Sequence, residues 1–392
     1  MPSSRASIID DIYGWATRLG ETNNNVVTRN LQSSCIALRE FDKTTELNKI
    51  PYRIDDHRSY SVLKCYGCNK RNCRRTHPVY VYSCETCGDV FQQMRHLSRD
   101  LTGYVAVVVG ARTKLGHQVV VKLLDAGARV VATSRFPEEA TRLFTSYREW
   151  NSCGWSSRLH FFPEAFDLDT PSLAESIDGL REYLMCHIAP HIDVIVFCAA
   201  QTIRQREKTV SHSCLLHETN RYGNAKFTDL RPETVNSWNM DVEDLDQKEM
   251  EEVYRVNAVA PCLFLQRMLP LLRSSPREDP YVIHVHAREG LLSVPKGTRH
   301  IHTNMAKAAL AMLTKCLSSG RGGMRTHYGA AIRIHGCDPG WISVDEYYEH
   351  DRPWVVPPLD EIDGAARVLH PLFAQLKGRS GKTRRHFTQL IY

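Results

Sequence analysis

The C-terminal two thirds of the sequence predict an α/β fold with a doubly wound parallel sheet. From residue 104 onward, short runs rich in valine and isoleucine, such as YVAVVVG at 104–110 and IDVIVFCAA at 192–200, alternate with longer amphipathic segments. Continuous apolar strands separated by helices are typical of a parallel sheet that is buried on both faces. Upstream, two pairs of cysteines indicate a small metal-binding module. We therefore divide the chain into a helical N-terminal extension (1–60), a zinc-binding module (61–100) and an α/β domain (101–392).

Composition places the chain among globular proteins. It has 392 residues, of which 42% are hydrophobic and 24% charged, and its net charge of +6 does not by itself predict nucleic-acid binding. No stretch approaches the roughly 20 apolar residues that span a bilayer. The 13 cysteines fall in one short segment or singly along the chain, which favours metal binding in a reducing compartment over a disulfide framework. We therefore expect a cytoplasmic protein without a membrane segment.

The cysteine-rich segment KCYGCNKRNCRRTHPVYVYSCETCGDVF contains two C-x-x-C pairs with 15 residues between them. The pairs are Cys65 with Cys68 and Cys84 with Cys87. Each pair can form a tight knuckle that presents two thiolates, and a strand formed by PVYVYS would bring the pairs together around one tetrahedral zinc ion. The spacing therefore predicts a zinc-ribbon-like module.

Two questions about this module stay open in the sequence. Cys73 and His77 lie between the pairs and are further candidate ligands. A run of cations without any acid surrounds the first pair: Lys64, Lys70, Arg71, Arg74 and Arg75. Such a run, interleaved with tyrosines, is either a solvated face or a contact surface for a nucleic acid or a protein partner.

The first turn of the α/β domain, VVVGARTKLGHQ, is where a parallel sheet of this kind holds phosphate groups. Gly110 and Gly116 occupy positions that need a tight turn and close packing of helix on strand. Between them, Lys114 stands where the backbone usually approaches a pyrophosphate. Whether this lysine adds charge to the site or obstructs it depends on the direction of its side chain.

Six motifs in order resemble the short-chain dehydrogenase/reductase family, which has a Rossmann-like fold. They are GARTKLG, FDLD with Asp167, FCAAQ with Ala199, RVNAVAP, YVIHVHAREG and CDPGWIS with Pro339 and Gly340. The resemblance extends from residue 104 to about residue 372. It implies that the glycine-rich turn binds a dinucleotide, that Asp167 contacts the adenine and that Pro339 and Gly340 lie beside the nicotinamide.

The second strand indicates which dinucleotide is bound. NAD enzymes usually place an acid after this strand, whereas the 2′-phosphate of NADP needs a cation. Here the strand ends in ATSRF, and Arg135 with Ser134 and Arg112 would form a phosphate clamp. The sequence therefore favours NADP over NAD, although an arginine at a strand end is also ordinary at a protein surface.

The catalytic positions of the family are only half preserved. Lys307 in HTNMAKAAL and Asn257 in RVNAVAP match, but Thr303 replaces the tyrosine and Ala287 replaces the serine. In one hypothesis, His286 or His302 supplies the proton and Thr303 holds the carbonyl oxygen or relays the proton. The chain would then be an atypical oxidoreductase acting on a small molecule that the sequence does not identify.

An alternative hypothesis is a non-catalytic NADP-binding scaffold or sensor whose zinc module contacts a protein or nucleic acid. The long apolar helix EMEEVYRVNAVAPCLFLQRMLPLL resembles a dimerisation helix of the family, so we expect a homo-oligomer. The polar stretch before that helix is expected to cover the substrate site, and its His212, Cys214 and His217 form a weak candidate metal group. Tyr347 and Tyr348 are further side chains that could reach the site.

Overall fold

The computed structural model describes residues 62–73, 75–202, 240–319, 324–342, 357–376 and 389–390. The described residues fall into two compact units: one reaches to Gln92 and includes Pro357 and Pro358, and the other holds the rest. Several predictions lie outside the described residues. These are the helical extension (1–60), the polar stretch with His212, Cys214 and His217, and the pair Tyr347 and Tyr348.

The first unit consists of a short hairpin followed by a helix. Strand β1 (Val62–Lys64) pairs antiparallel with β2 (Arg71–Cys73), and α1 spans Glu85–Arg95. The segment PVYVYS forms bends and turns instead of the predicted strand. The reason lies in His77, whose Nδ1 accepts hydrogen bonds from the backbone N–H groups of Val79 and Tyr80, both at 3.1 Å. Those two amides are therefore unavailable to a strand ladder.

The second unit contains the predicted parallel sheet. Its strands are β3 (Val105–Val109), β4 (Arg129–Thr133), β5 (Leu159–Phe161), β6 (Val194–Phe197), β7 (Tyr281–Val285), β8 (Arg333–Asp338) and β9 (Gln389–Leu390). The spatial order is β5-β4-β3-β6-β7-β8-β9, and every described pair is parallel except β8 with β9. The order reverses between β3 and β6, which is where doubly wound folds bind ligands. The fold class predicted from sequence is confirmed.

Helices cover both faces of this sheet. They are α2 (Lys114–Asp125), α3 (Pro137–Thr145), α4 (Glu149–Ser152), α5 (Leu173–His187), α6 (Gln247–Tyr254), α7 (Ala260–Arg273), α8 (Ile301–Ser319) and α9 (Glu361–Phe373). A π-helical segment, Arg255–Val259, joins α6 to α7. Among the described helices, none has both the length and the apolar character that crossing a membrane requires.

The apolar core has two layers, one on each side of the sheet. One layer packs α2 and α9 against alternate residues of the strands, and the other packs α5 and α7 against the remaining ones. Strands β3 and β7 are buried at every position, as expected for strands in the middle of a doubly covered sheet. This packing fixes the carboxyl ends of β3, β4, β6, β7 and β8, where the candidate site lies.

Candidate functional site

The glycine-rich turn between β3 and α2 cannot accept larger side chains. Gly110 has a φ of 84°, and a Cβ there would lie 2.8 Å from Ala199. A Cβ on Gly116 would lie 1.9 Å from the carbonyl oxygen of Gly110. Helix α2 begins without an acidic residue in its first turn and without a side-chain cap from Thr113. Its first N–H groups therefore suit an anion such as a phosphate.

Lys114 adopts a backbone conformation that usually belongs to glycine, with a φ of 50°. Its ammonium group lies close enough to the Glu361 carboxyl group to lower the pKa of that group, although burial raises the pKa overall. The side chain of Lys114 is therefore within electrostatic reach of the N-terminus of α9.

A histidine that sequence reasoning missed supports the same turn. Ring nitrogen Nδ1 of His117 is 3.1 Å from the carbonyl oxygen of Arg112, so it carries the proton and donates it; Nε2 then accepts from the Tyr147 hydroxyl at 2.8 Å. The ring stacks on Phe144 with 4.2 Å between centroids. Burial lowers the pKa of His117 to about 4, so the ring is neutral near pH 7. No sequence motif marks this role, because Tyr147 is 30 residues away.

Of the three residues in the predicted phosphate clamp, two are already engaged by other groups of the protein. Arg112 donates to the Glu139 carboxylate at 2.8 Å and lies over the Phe136 ring, 5.1 Å from its centroid. Arg135 lies on that ring at 5.8 Å, is exposed, and forms no ion pair with a described carboxylate. Ser134 is buried, and its Oγ accepts the backbone N–H of Phe136 at 2.9 Å. Arg135 is thus the clamp residue available to a ligand.

The other predicted cofactor residues lie near the carboxyl ends of the strands. Asp167 Oδ1 accepts the backbone N–H of Asp169 at 3.0 Å. Ala199 is the second residue after β6, and its N–H donates to the carbonyl of Val109 at 2.9 Å. Pro339 and Gly340 follow β8, and Gly340 has a φ of 82°.

Lys307 on α8 is buried, with only 6% of its surface exposed, and its Nζ donates to the carbonyl of Val285 at 3.2 Å. Burial lowers the pKa of Lys307 to about 8, while the carboxylates of Glu289 and Asp338 act in the opposite direction. These two acids are functional candidates that sequence reasoning missed. Glu289 lies two residues after the serine position, Ala287, and Asp338 directly precedes Pro339. The signal that could have identified them in the sequence is an acidic residue close to the predicted site of Lys307.

Asn257 lies in the π-helical segment, a distortion that is often found at functional sites. Its Nδ2 donates to the carbonyls of Gln201 at 2.5 Å and Val253 at 2.9 Å. It thus ties the helix to the loop after β6. Its Oδ1 is buried and has no hydrogen-bond partner among the described residues.

Thr303 and His302, at the start of α8, also have buried polar atoms without described partners. The Thr303 hydroxyl makes no hydrogen bond within the described part of the chain, and neither does Nδ1 of His302. Nε2 of His302 lies 2.9 Å from the carbonyl oxygen of Thr202, so it must carry a proton to donate. Buried polar groups are usually paired, so these unpaired atoms at the start of α8 are candidates for contact with a ligand.

His286 is placed differently from the prediction. It is 1% exposed, and its Nε2 is 3.0 Å from the Thr314 hydroxyl, which also lies 2.8 Å from Nδ1 of His284. That hydroxyl donates its proton to the carbonyl of Leu310 at 2.9 Å, so it accepts from both rings. Burial holds the pKa of His286 well below 6.5, which leaves it neutral near pH 7. It is therefore poorly suited to be the proton donor.

In the first unit, Cys65, Cys68, Cys84 and Cys87 form one cluster, with all four Sγ atoms within 4.8 Å of one another. Sγ of Cys65 accepts backbone N–H groups from Cys68 at 3.5 Å and from Cys84 at 3.2 Å. The first pair occupies the turn of the hairpin, and the second pair lies at the beginning of α1.

The two spare candidates do not belong to this cluster. Sγ of Cys73 donates to the carbonyl of Lys70 at 3.5 Å. His77 uses Nδ1 for the turn described above, while its Nε2 is 3.5 Å from the Asp89 carboxylate. Both side chains thus have other roles in the unit.

No protein-family model matches the chain. Uncharacterized protein R665 of Acanthamoeba polyphaga mimivirus is 35% identical over 346 residues, which cover 81% of this chain and 73% of that protein. C-signal of Myxococcus xanthus is 28% identical over 136 residues, or 35% of this chain and 75% of C-signal.

Solved structures are similar at lower identity. A short chain dehydrogenase from Salmonella enterica serovar Typhi is 17% identical, covers 73% of this chain and 94% of its own, and gives a TM-score of 0.50. The RhlG/NADP active-site complex of Pseudomonas aeruginosa is 19% identical over 64% of this chain and 76% of its own, with a TM-score of 0.40. The chain therefore belongs to one family with R665 of mimivirus, and joins a short-chain dehydrogenase/reductase fold to a four-cysteine unit.

Proposed function

We propose that the α/β unit is an NADP-dependent oxidoreductase of the short-chain dehydrogenase/reductase type that reduces a small carbonyl compound. One observation carries the proposal. The buried ammonium of Lys307 donates to the last residue of β7, and Asn257 and His302 contact the loop after β6. Asn257, His302 and Thr303 each keep a buried polar atom that has no partner among the described residues. Leaving buried polar atoms unpaired costs about 1–3 kcal/mol each, which a ligand at the site would offset.

The cofactor would be held by the residues at the strand ends. The N–H groups at the start of α2 and the glycine-rich turn suit the pyrophosphate, and the exposed Arg135 suits the 2′-phosphate. Glu139, already paired with Arg112, is the group that an NAD-binding site would use instead. When bound, NADPH supplies the hydride.

The proton path would begin at Lys307. Residues four apart on a helix share one face, so the Thr303 hydroxyl and the Lys307 ammonium point to the same side of α8. Thr303 donates a hydrogen bond to the carbonyl oxygen of the substrate. As the carbonyl carbon receives the hydride, that oxygen takes the threonine proton, and Lys307 replaces it through a bridging water molecule, because no direct hydrogen bond joins the two side chains. A threonine hydroxyl is too weak an acid to act without such a relay.

The test is a titration of purified protein with NADPH and NADH by nicotinamide fluorescence, followed by oxidation of NADPH with a panel of aldehydes, ketones and quinones. We expect NADPH to bind more tightly than NADH. Arg135→Ser should weaken NADPH binding about 10- to 100-fold, the value of a charge-assisted contact, and leave NADH binding unchanged. Arg142→Ser, which removes an exposed arginine of α3, is the matched control. An equal loss of NADPH affinity in Arg135→Ser and Arg142→Ser would contradict the assignment of Arg135 to the 2′-phosphate.

His302→Asn decides between two proton donors. It keeps a side chain able to donate to the Thr202 carbonyl but removes the imidazole. Turnover that persists in this variant and disappears in Lys307→Ala supports the relay from lysine. Loss of turnover in His302→Asn, with NADPH binding unchanged, would instead identify the imidazole as the proton donor.

A non-catalytic scaffold is the second candidate function. The replacement of tyrosine by Thr303 and of serine by Ala287 favours it, since the phosphate turn and Lys307 would suffice for binding. A scaffold binds NADPH tightly and oxidises it with no compound of the panel. A reductase shows turnover that Lys307→Ala abolishes.

We infer in addition that the four-cysteine cluster binds one zinc ion. Zinc–sulfur distances of about 2.3 Å in a tetrahedron place sulfur atoms about 3.8 Å apart, which is compatible with the observed spread of 4.8 Å. The backbone N–H groups donated to Cys65 are the kind of outer contact that orients a metal ligand. In this small unit, the metal would stabilise the fold.

A further inference from the structure

The hairpin of the first unit carries positive charge that no described acid compensates. Between Val62 and Ser83, the sequence has five lysines and arginines and no aspartate or glutamate. Four of these cations lie in the described residues, and all four are exposed: Lys64, Lys70, Arg71 and Arg75. None of them forms an ion pair with a described carboxylate. The two described acids of the unit, Glu85 and Asp89, are both on α1.

The strand register makes this charge unfavourable for folding. Lys64 is directly opposite Arg71 in the antiparallel pair, so both side chains project from the same face of the hairpin. Like charges opposite one another destabilise a strand pair. Lys70, beside Arg71, increases the local charge further. The folding of the unit gives no reason for this arrangement.

The metal cluster does not balance the charge either. Four zinc-bound thiolates would leave two negative charges in excess, against the five cations between Val62 and Ser83. A surplus of positive charge therefore remains on the surface of the hairpin. An external polyanion would remove the repulsion between Lys64 and Arg71.

Partly exposed aromatic side chains accompany the cations. Tyr66 and Tyr82 are each half-buried, and the N–H of Tyr66 donates to the carbonyl of Tyr82 at 2.8 Å. The Tyr66 ring rests edge-on against Phe91, with 6.4 Å between centroids, which fixes its position. Val81, which is 45% exposed, adds an apolar surface next to Tyr82. Partly exposed tyrosines in the same short unit as several cations are typical of surfaces on which unpaired bases stack.

We propose that this hairpin, with Tyr66 and Tyr82, binds single-stranded nucleic acid. Lys64, Arg71 and their neighbours contact the phosphates, and the tyrosines stack with bases. Duplex DNA fits less well, because strands of three residues span only about 10 Å and expose little surface to a major groove. The proposal is independent of whether the α/β unit is an enzyme.

The test is fluorescence anisotropy of labelled single-stranded RNA and DNA 20-mers, and of a duplex of the same sequence, with the full-length protein. We expect single strands to bind more tightly than the duplex. Each phosphate contact adds about −0.7 to the slope of log K against log salt concentration. The double variant Lys64→Ser, Arg71→Ser should lower the affinity at least tenfold and reduce the steepness of the slope by about 1.4.

Two controls separate this role from a structural one. Lys248→Ser with Arg299→Ser removes the same charge from exposed sites in the other unit and should leave the slope unchanged. The melting temperature of the hairpin variant should stay equal or rise, because its substitutions remove a repulsion. Absence of binding at 50 mM salt, tighter binding of the duplex, or an equal effect of the two double variants would overturn the proposal.

Discussion

Thr303 and Thr314 lie on the same helix, and both side chains are buried, yet their hydroxyl groups are in opposite situations. Thr314 makes hydrogen bonds to His284, His286 and the carbonyl of Leu310. Thr303 makes none within the described part of the chain. The Thr314 hydroxyl therefore stabilises the fold, whereas the unpaired Thr303 hydroxyl lowers the free energy of unfolding.

This contrast gives a prediction that separates stability from activity. Thr303→Val keeps the shape but removes the unpaired hydroxyl, so the free energy of unfolding should rise by about 1 kcal/mol. If Thr303 holds the substrate oxygen, turnover should fall at least 100-fold. Thr314→Val is the matched control and should lower the free energy of unfolding by about 1–3 kcal/mol. Urea denaturation and NADPH oxidation measure both effects. Destabilisation by Thr303→Val would show that its hydroxyl has a structural partner.

The pKa of Lys307 leads to a prediction about pH. Because burial lowers this pKa to about 8, the ammonium that would donate the proton is lost as pH rises through 8. Turnover should fall in that range. Glu289→Gln removes a charge that favours the ammonium and should move the fall toward lower pH, whereas Glu278→Gln, away from Lys307 in sequence, should not. A profile that Glu289→Gln leaves unchanged would contradict the electrostatic contact.

The same shift affects stability with a definite sign. Lys307 has a lower pKa in the folded state than the ordinary 10.5. Between about pH 8 and 10.5 the unfolded chain therefore binds more protons at this position, and its contribution makes stability rise with pH. Lys122, whose pKa burial also lowers to about 8, contributes with the same sign. Lys307→Met should make the rise shallower.

Features of the site could be predicted from the sequence where the interacting residues are close together along the chain, and could not where they are far apart. The spacing of Thr303 and Lys307 can be read directly, because both lie on one helix. The neutral state of His286 could not be predicted, since it depends first on burial inside the folded unit. The electrostatic effect of Lys114 on Glu361 could not be predicted either, because the two residues are far apart along the chain.

At the scale of elements, the first unit shows what a motif determines and what it leaves open. The two C-x-x-C pairs correctly predict that four sulfur atoms meet. They do not predict which elements carry the second pair. His77 turns the chain before Cys84, and the second pair therefore opens a helix, whereas PVYVYS was expected to form a strand.

The metal content of this unit is testable. We predict one zinc per chain, measured by release to a chromogenic chelator. Cys65→Ser should abolish this zinc, because it removes one of four ligands and the acceptor of two N–H groups. Cys73→Ser should retain it, since Cys73 is outside the cluster. Loss of zinc from both variants alike would mean that Cys73 is a ligand.

The π-helical segment explains a second difference between sequence and structure. The long apolar segment was expected to be one continuous helix. A π-helical turn, Arg255–Val259, instead interrupts it at Asn257. In this π-helical turn, the side chain of Asn257 donates hydrogen bonds to the carbonyls of Gln201 and Val253. The sequence does not mark such a change of hydrogen-bond pattern, because an α-helix and a helix with a single π-helical turn present nearly the same apolar face.

At the scale of the whole molecule, the second unit leaves an apolar surface uncovered. Tyr254, Val259 and Met305 are 42%, 46% and 57% exposed, and they line a groove of about 560 Å³ between the helices. Met312, two turns after Met305 on α8, is 56% exposed. Contiguous apolar side chains of this kind are typical of protein interfaces.

We therefore predict a homodimer through this surface. Light scattering after gel filtration should give twice the mass of the chain. Met312→Arg should convert the protein to the mass of a single chain, because it places a charge in an apolar contact. Met185→Arg changes a methionine on α5 that is 47% exposed and should leave the dimer intact. A monomeric parent protein would contradict the prediction.

The parallel sheet of β3 to β8 was predictable from the alternation of strands and helices, but β9 was not. Only Gln389 and Leu390 form it, and two residues carry no pattern that distinguishes a strand from a tail. Their pairing with Cys337 and Asp338 arises from position in space.

That late pairing has a consequence for synthesis of the protein. A ribosome delivers the chain from the N-terminus, so the outer edge of β8 waits without its neighbour while residues 339–388 are made. At about 5–20 residues per second, this interval lasts a few seconds. During that time the nascent chain presents an open strand edge to other nascent chains on the same message. Stalled translation within 339–388 would therefore expose the protein to aggregation, even though Gln389 and Leu390 pair with the end of β8 in the finished protein.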